Sequence, residues 1–267
     1  MNAKNSPAKR FFLAVSLLLY GAHALADSSA VQATNFQLGF ASGDTYVSGS
    51  RDSNTYGING SVTFPLLAYL GGSLSGAYAH TNLAANFPSE TGTSTSASAR
   101  PLCSVDRDDL AAGLFVRDPT IGRVGIGYGA GRTQSHCDAT FLSTGTDTLE
   151  TRNYAADAAY YFSKATLAIA RTRTRLEAGG DLNSSTLTAS WYPTNNARAT
   201  LSAGGLDFKN TYSLGLDYQP EFLDNSLSLL FAYTARQQAI EARFLTIGLS
   251  YYFDKRVDLI TRDRQYR

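Results

Sequence analysis

The chain has 267 residues, of which 43% are hydrophobic and 17% are charged, and its formal net charge at neutral pH is +1. Such a balanced charge is not the basic surface of a nucleic-acid-binding protein, so we expect no nucleic-acid partner. The sequence contains no phosphate-binding glycine motif, CxxC pair or metal-spaced cluster, and we therefore expect no cofactor.

The beginning of the chain has the three parts of a secretory signal peptide. Basic residues come first, an apolar run covers residues 11–22, and Ala24 and Ala26 supply the small side chains of a cleavage site. The apolar run is too short for a membrane anchor, because a spanning helix needs about 20 residues. We predict that residues 1–26 are a signal peptide, cut after Ala26.

Beyond the signal peptide, apolar and polar residues alternate with a period of two, which is the pattern of β-strands. In the stretch TYGINGSVTF, Tyr56 and Ile58 share one face, whereas Asn59 and Thr63 share the other. No stretch has a sustained helical period. Twelve strands are predicted, at residues 34–42, 55–64, 70–78, 109–116, 123–131, 153–162, 165–175, 185–192, 199–208, 212–219, 226–236 and 244–253.

Twelve alternating strands in an exported chain favour an all-β fold, a transmembrane up-and-down antiparallel β-barrel over residues 27–253. The connections agree, since four prolines follow even-numbered strands, where tight periplasmic turns are expected. Aromatic residues gather near both strand ends, which is typical of interfacial girdles. A soluble sandwich or lipocalin-like barrel is disfavoured, because it would bury the apolar face inside and usually needs about eight strands.

The predicted inner turns have about 2–6 residues, and the outer loops are longest in the first half of the chain. Those long loops are residues 43–54, 82–108 and 134–150. Cys103 lies in the second and Cys137 in the third. An even number of cysteines in an exported chain favours a disulfide, which would brace the outer loops. Unpaired thiols and pairing between chains are the alternatives.

The last predicted strand ends in TIGLSYYF, in which a polar residue, a glycine and two aromatic residues recur at fixed spacing. Thr246, Gly248, Tyr251 and Phe253 occupy those positions. This pattern resembles the terminal-strand insertion signal of Gram-negative outer-membrane β-barrels. The resemblance covers the mature chain at the level of architecture. It implies the bacterial cell outer membrane as the location, outer-membrane lipid and the barrel-assembly machinery as partners, and, by similarity to small channels, a monomer.

Chains of that family usually stop at the final aromatic residue, but here residues 254–267 continue with the charged sequence DKRVDLITRDRQYR. A short disordered tail in the periplasm is the simpler expectation, since chain termini are commonly loose. The alternative is that this arginine-rich segment folds up into the pore or contacts a periplasmic partner.

The seventh strand contains a row of arginines at spacing two, Arg171, Arg173 and Arg175, which share one face. An arginine at the lipid-facing midplane costs about 2–4 kcal/mol, so we predict that the row lines the pore and favours anionic solutes. In this the row is similar to the arginine tracks of small twelve-stranded channels for acidic oligosaccharides. Leu167 and Ile169 have the same parity, which indicates either a bulge or a position at or above the outer interface.

Four further residues are candidates for the pore lining, namely Asp157, Asp217, Arg117 and Arg236. A structural network, in which arginines of the row pair with the two aspartates, is the alternative to a solute pathway. For Arg117 the alternative is a position in a periplasmic turn.

These features predict an outer-membrane channel for passive diffusion of small solutes, with a bias towards anions or acidic sugars as a further expectation. A non-conducting surface barrel, acting as an anchor, adhesin or assembly partner, is the first alternative. A lipid hydrolase is the second, with His80 or His136 as candidate bases. Neither histidine stands in a convincing nucleophile arrangement, so we expect no enzymatic activity.

Overall fold

The computed structural model describes residues 34–47, 50–83, 103–137, 148–177, 179–205, 211–237, 241–253 and 256–266, and the predicted signal peptide lies outside these ranges. Twelve strands follow one another along the chain. They are β1 (Asn35–Val47), β2 (Ser50–Pro65), β3 (Leu70–Leu83), β4 (Cys103–Asp118), β5 (Gly122–Cys137), β6 (Thr148–Tyr161), β7 (Ala165–Leu176), β8 (Asp181–Thr194), β9 (Ala197–Gly205), β10 (Thr211–Tyr218), β11 (Leu227–Gln237) and β12 (Glu241–Tyr252).

The strands form a closed antiparallel barrel in which each strand pairs with its neighbours in the sequence. The barrel closes where β12 pairs with β1, for example at Phe40 opposite Leu249. Closure of the described strands into a ring removes the two free edges of the sheet, whose unpaired backbone groups a lipid environment would not tolerate. The predicted fold class, an up-and-down barrel of twelve strands, is confirmed.

The two faces of the barrel wall differ in chemistry, because side chains alternate along every strand. Large apolar side chains point outwards all round the barrel, and among them Ile126 is 64%, Leu201 61% and Ile247 62% exposed. Aromatic residues on the same face include Tyr128 and Tyr154, whose rings lie 5.4 Å apart. An apolar outer surface of this extent is suited to lipid, so the barrel spans a membrane.

The strands extend beyond the predicted segments at the end that carries the longer connections. Only residues 48–49 separate β1 from β2, so the first predicted outer loop, 43–54, is wrong. The second and third connections are residues 84–102 and 138–147, which lie outside the described residues. The reason is that residues near the rim pair through their backbones without facing lipid, so they show no apolar alternation. A prediction from that alternation therefore ends the strands too early.

The opposite end has the shorter turns that outer-membrane barrels place in the periplasm, and we call it the periplasmic end. The turns after β2, β4, β6 and β8 are short, whereas residues 219–226, between β10 and β11, form a longer turn than predicted. That turn contains a 3-10 helix at Glu221–Leu223, followed by Asp224 and Asn225, both with positive φ. Pro193 lies where the β8–β9 register shifts, a position where proline interrupts no ladder bond.

The chain continues after β12 into a short helix, α1 (Leu259–Gln265). Asp258 caps this helix, since its side chain accepts a hydrogen bond from the Thr261 amide at 2.8 Å. Among the described residues, no helix is long and apolar enough to cross a membrane. Because residues 256–266 contain this capped helix, the expectation of a disordered tail is wrong for that segment.

Candidate functional site

The inner wall of the barrel is built mainly from small and polar side chains. Side chains of β5 alternate between the two faces of the wall. The large apolar residues point outwards, and the inward positions hold four glycines, Gly125, Gly127, Gly129 and Gly131. On β3 the inward Ser75 and Ala77 are exposed to solvent although they lie inside the ring of strands. Small side chains leave room along the axis, so the middle of the barrel has a solvent-accessible lumen.

Residues 256–266, which we call the C-terminal plug, lie across the periplasmic end of this lumen. The plug contacts inward-facing residues from several different strands. The Ile260 amide donates to the Asn195 carbonyl at 3.1 Å, after β8. On β1, the Asn35 side chain donates to the Tyr266 carbonyl at 3.2 Å. Contacts on separate strands place the plug across the opening rather than along one wall.

Leu259 and Arg262 anchor the plug, and both are completely buried. The Arg262 guanidinium stacks over the Tyr252 ring at 3.7 Å and donates hydrogen bonds to the carbonyls of Asn225 at 3.1 Å and Val257 at 3.3 Å. The contacts that this guanidinium would make with water are thus replaced by an aromatic face and by backbone carbonyl oxygens. Such a buried charge helps to hold the helix in place, because undocking would separate it from the Tyr252 ring and the Asn225 carbonyl, which lie outside the plug.

An ion-pair network joins the plug to the barrel wall. Arg198 of β9 lies between two carboxylates, at 2.7 Å from Asp263 of the plug and 2.8 Å from Asp217 of β10. Tyr192 donates a hydrogen bond to Asp263 at 2.7 Å, and Ser228 donates one to Asp217 at 2.6 Å. Each carboxylate therefore has a charged partner and a hydroxyl partner, as buried charges require.

A second group of charges lies on the inner wall near the same end. Arg117 and Arg123 lie over the ring of Phe115, with their guanidinium carbons 4.6 Å and 4.4 Å from its centroid. Arg123 also approaches Asp157 at 3.6 Å. Arg117 is 1% exposed, and its three guanidinium nitrogens have no hydrogen-bond partner among the residues that the structure describes. A buried, unpaired cation of this kind favours an anion beside it.

Four predicted pore-lining residues lie on the inner face. Asp157, Asp217 and Arg117 belong to the groups described above, and Arg236 points inwards from β11 in register with Thr211. Arg117 belongs to β4 and not to a turn. The aspartates pair with Arg123 and Arg198, which the sequence interpretation did not single out.

The arginine row of β7 lies on the other face, and its prediction as pore lining is wrong. The β6–β7 register continues without a shift from Leu167 to Leu176, so Arg171, Arg173 and Arg175 share the outward face with Leu167 and Ile169. No bulge reverses the row. Of the two explanations left open for the shared parity, a position towards the outer rim is the one that the register supports.

The two cysteines are not in loops, since Cys103 begins β4 and Cys137 ends β5. They are direct partners in the β4–β5 register. Directly opposed residues of an antiparallel pair have Cα atoms about 4.5–5.5 Å apart, within the range that a disulfide spans. The register supports the predicted disulfide, which stays a prediction.

The residues of the terminal-strand signal occupy both faces of β12. Thr246 and Gly248 face the lumen side, whereas Tyr251 and Phe253 face outwards and lie 4.8 Å apart. Phe253 also lies 4.8 Å from Phe36 of β1, next to the closing seam. Their role in assembly stays a prediction.

His80, a candidate base for lipid hydrolysis, faces outwards near the outer rim. Its Nδ1 lies 2.6 Å from Asp106 and its Nε2 lies 3.0 Å from Asn82. His136 approaches the same Asp106 at 3.2 Å. Both nitrogens of His80 are thus occupied by oxygens of acid or amide groups, and within the described part of the chain no serine hydroxyl is hydrogen-bonded to it. The described residues also contain no group of three or more His, Cys, Asp or Glu side chains that could hold a metal ion.

The sequence interpretation gave folding of segment 254–267 into the pore as the alternative to a disordered tail, but it singled out none of the plug residues. Their signal is present in the sequence, since Asp258 is a helix-capping residue type and Leu259, Arg262 and Tyr266 follow at helical spacing.

Burial raises the pKa of the Tyr266 phenol, although the nearby Arg262 acts in the opposite direction. Arg198 carried no signal, because its carboxylate partners are distant in the sequence.

Comparison with solved structures identifies the architecture. An outer membrane channel from Pseudomonas putida F1 superposes with a TM-score of 0.56 at 10% identity, and the match covers 86% of this chain and 99% of the channel. The KdgM porin in complex with disordered oligogalacturonate gives 0.51 at 8% identity, with 82% and 99% covered. The chain has the fold of bacterial outer-membrane channels. No protein-family model and no curated protein sequence matches it.

Proposed function

We propose that this outer-membrane barrel is a diffusion channel for small solutes, whose periplasmic mouth is narrowed by the C-terminal plug. The observation that carries the proposal is the change in the lumen along its axis. Its middle is lined by small residues such as Gly127 and Ala77, whereas the periplasmic end is filled by α1. A lumen that is open above a constriction admits small solutes and excludes large ones.

The charges of the lumen support a preference for anions. Among the described residues, the inner wall carries five arginines and three aspartates, and the plug adds three arginines and two aspartates. The wall residues are Arg107, Arg117, Arg123, Arg198 and Arg236, with Asp109, Asp157 and Asp217; the plug residues are Arg256, Arg262 and Arg264, with Asp258 and Asp263. The excess of cations raises the local concentration of anions in the lumen.

Arg117 is the residue that we propose as the anion-selecting group. It is buried beside the constriction, and in the described part of the chain none of its guanidinium nitrogens has a hydrogen-bond partner. A small carboxylate or phosphate would supply the charge and the acceptor oxygens that this group lacks. We therefore propose small organic anions, including acidic sugars, as the solute class.

Single-channel recording in planar bilayers tests the proposal. The purified full-length protein should give discrete conductance steps and an anion-selective reversal potential in a salt gradient. Arg117→Gln should lower the ratio of chloride to potassium permeability about two- to fivefold, since it removes one of a few charges at a narrow point. Arg243→Gln, which removes an arginine from the outward face of β12, should leave this ratio unchanged.

A folded barrel that never conducts would overturn the channel proposal and favour a non-conducting surface barrel. In that case the docked plug would be what blocks the lumen. Equal changes of anion selectivity in Arg117→Gln and Arg243→Gln would overturn the proposal that Arg117 selects anions, but would leave the channel proposal standing.

A further inference from the structure

The outward face of β6 and β7 carries a cluster of arginines that the proposed channel does not use. We define the outer arginine patch as Arg152, Arg171, Arg173 and Arg175. All four are exposed, and the side chains of Arg173 and Arg175 are each 52% accessible. In the β6–β7 register Arg152 lies directly opposite Arg175. Four like charges on two adjacent strands repel one another, so the patch needs a source of negative charge.

The protein itself supplies only part of that charge. Asp181 of β8 pairs with Arg173, at 3.0 Å from its Nε, and with Arg175, at 3.4 Å from its Nε. Arg152 and Arg171 make no ion pair or hydrogen bond with any residue that the structure describes. Within the described ranges, one carboxylate therefore serves two of the four guanidinium groups, and the other two have none.

The described carboxylates near the patch lie towards the outer rim. Asp181 is level with Arg175 in the register, Glu150 lies one outward-facing position beyond Arg152, and Glu177 follows the end of β7. In the deeper part of the patch the directly opposed residues are neutral, although Arg173 reaches Asp181 diagonally. Across β7, Arg171 lies opposite Ala156 and Ser185, and Arg173 lies opposite Tyr154 and Asn183.

The depth of the patch places it where the membrane changes from hydrocarbon to headgroups. Arg173 is level with Tyr154, an outward aromatic residue, and Ile169 faces outwards directly below Arg171. Aromatic belts mark the interface of transmembrane barrels, and long arginine side chains extend from just below that level towards the headgroups. Arg171 and Arg173 are thus positioned to meet the polar part of the outer leaflet.

We propose that the outer arginine patch is a docking site for the phosphorylated headgroups of outer-leaflet glycolipids. Phosphate matches the planar guanidinium fork and supplies the negative charge that Arg152 and Arg171 lack. Asn183 and Ser185, on the same outward face, add polar groups for the sugar or phosphate oxygens. Lipid binding at the patch does not depend on conduction, because the patch lies on the outside of the barrel.

Lipid binding to the full-length protein tests the proposal. The protein in neutral detergent is titrated with bisphosphorylated lipid A or with its dephosphorylated form, and bound lipid is counted by native mass spectrometry. The bisphosphorylated lipid should bind more tightly. Arg152→Gln/Arg171→Gln should weaken that binding about tenfold and remove most of the preference for phosphate, because two charge-assisted contacts are lost.

The matched control is Lys164→Gln/Arg243→Gln, which also removes two positive charges, one in a periplasmic turn and one on the outward face of β12. It should bind the lipid as the unmodified protein does. Equal weakening in both variants, or no preference for the phosphorylated lipid, would overturn the proposal. Displacement of the lipid by an equal concentration of inorganic phosphate would indicate a site for free anions instead. A changed oligomeric state of the arginine variant, with lipid binding retained, would indicate a protein partner and would also overturn it.

Discussion

The contact that decides the state of the periplasmic mouth is the sharing of one arginine between two aspartates. Arg198 belongs to the wall, Asp217 to the next strand, and Asp263 to the plug. Because Asp217 remains when the plug leaves, Arg198 keeps one partner in either state. Undocking therefore leaves Arg198 paired, so no unpaired cation remains on the wall. This limits the free energy that holds the plug in place.

Asp263→Asn should loosen the plug without unfolding the barrel. The Asp263 carboxylate is 9% exposed and accepts from both Arg198 and Tyr192. Removing its charge should destabilise docking by about 1–3 kcal/mol, since an ion pair becomes a neutral hydrogen bond. Limited digestion with trypsin, followed by mass spectrometry, should then show faster cleavage after Arg262 and Arg264.

The matched control for this variant is Asp224→Asn. Asp224 pairs with Arg256 of the plug, but both side chains are 66% exposed, and exposed pairs contribute little. If this variant is cleaved as fast as Asp263→Asn, the buried ion pair is not what holds the plug.

At the scale of the strands, the first half of the barrel extends farther than the second. β2, β4 and β5 have 16 residues each, whereas β9 has 9 and β10 has 8. The long hairpin of β4 and β5 thus carries the cysteines to its very end, beyond the apolar band. A disulfide at that place would hold the hairpin closed where no lipid supports it.

The predicted disulfide can be tested on the unfolded chain. After boiling without reductant, the protein should run faster on a denaturing gel than the reduced protein, because a loop between Cys103 and Cys137 keeps the chain more compact. Cys103→Ser should abolish the difference. Labelling of both thiols in the unreduced, unfolded chain would contradict the prediction.

At the scale of the whole molecule, barrel closure and plug docking depend on the same region. β12 closes the ring against β1, and the chain then turns back so that Arg262 stacks on Tyr252, a residue of that closing strand. The plug also holds Asn35 at the start of β1. The first and last strands are therefore joined twice at the periplasmic mouth, by the β1–β12 pairing and by the plug.

A chain that ends at Phe253 should form a more conductive and less stable barrel. Loss of the plug removes the constriction, so the single-channel conductance should rise by a factor of about two or more. It also removes two completely buried side chains, Leu259 and Arg262, so the unfolding temperature should fall. Heat-dependent gel mobility would confirm that the truncated barrel folds. Unchanged conductance in a folded truncated barrel would show that the plug is not the constriction.

The number and order of the strands were predictable because alternation is a local property of the chain. The pattern around Ile126 and Tyr128 requires only that one face meets lipid, and the structure confirms it. The loop boundaries were less accurate, since rim residues pair without facing lipid. The inward positions of Asp157 and Asp217 followed from the same alternation, although their partners did not.

The amino-acid sequence by itself thus determined the twelve strands, their antiparallel order and the apolar outer face. Only the tertiary structure decided the face of the Arg171 row, the docking of the plug and the pairing of Arg198. The physical reason is the range of the interactions. Alternation acts between neighbouring residues, whereas the Arg198–Asp263 pair joins residues 65 positions apart, and the contact of Asn35 with Tyr266 joins residues 231 positions apart. Such contacts exist only once the ring has closed.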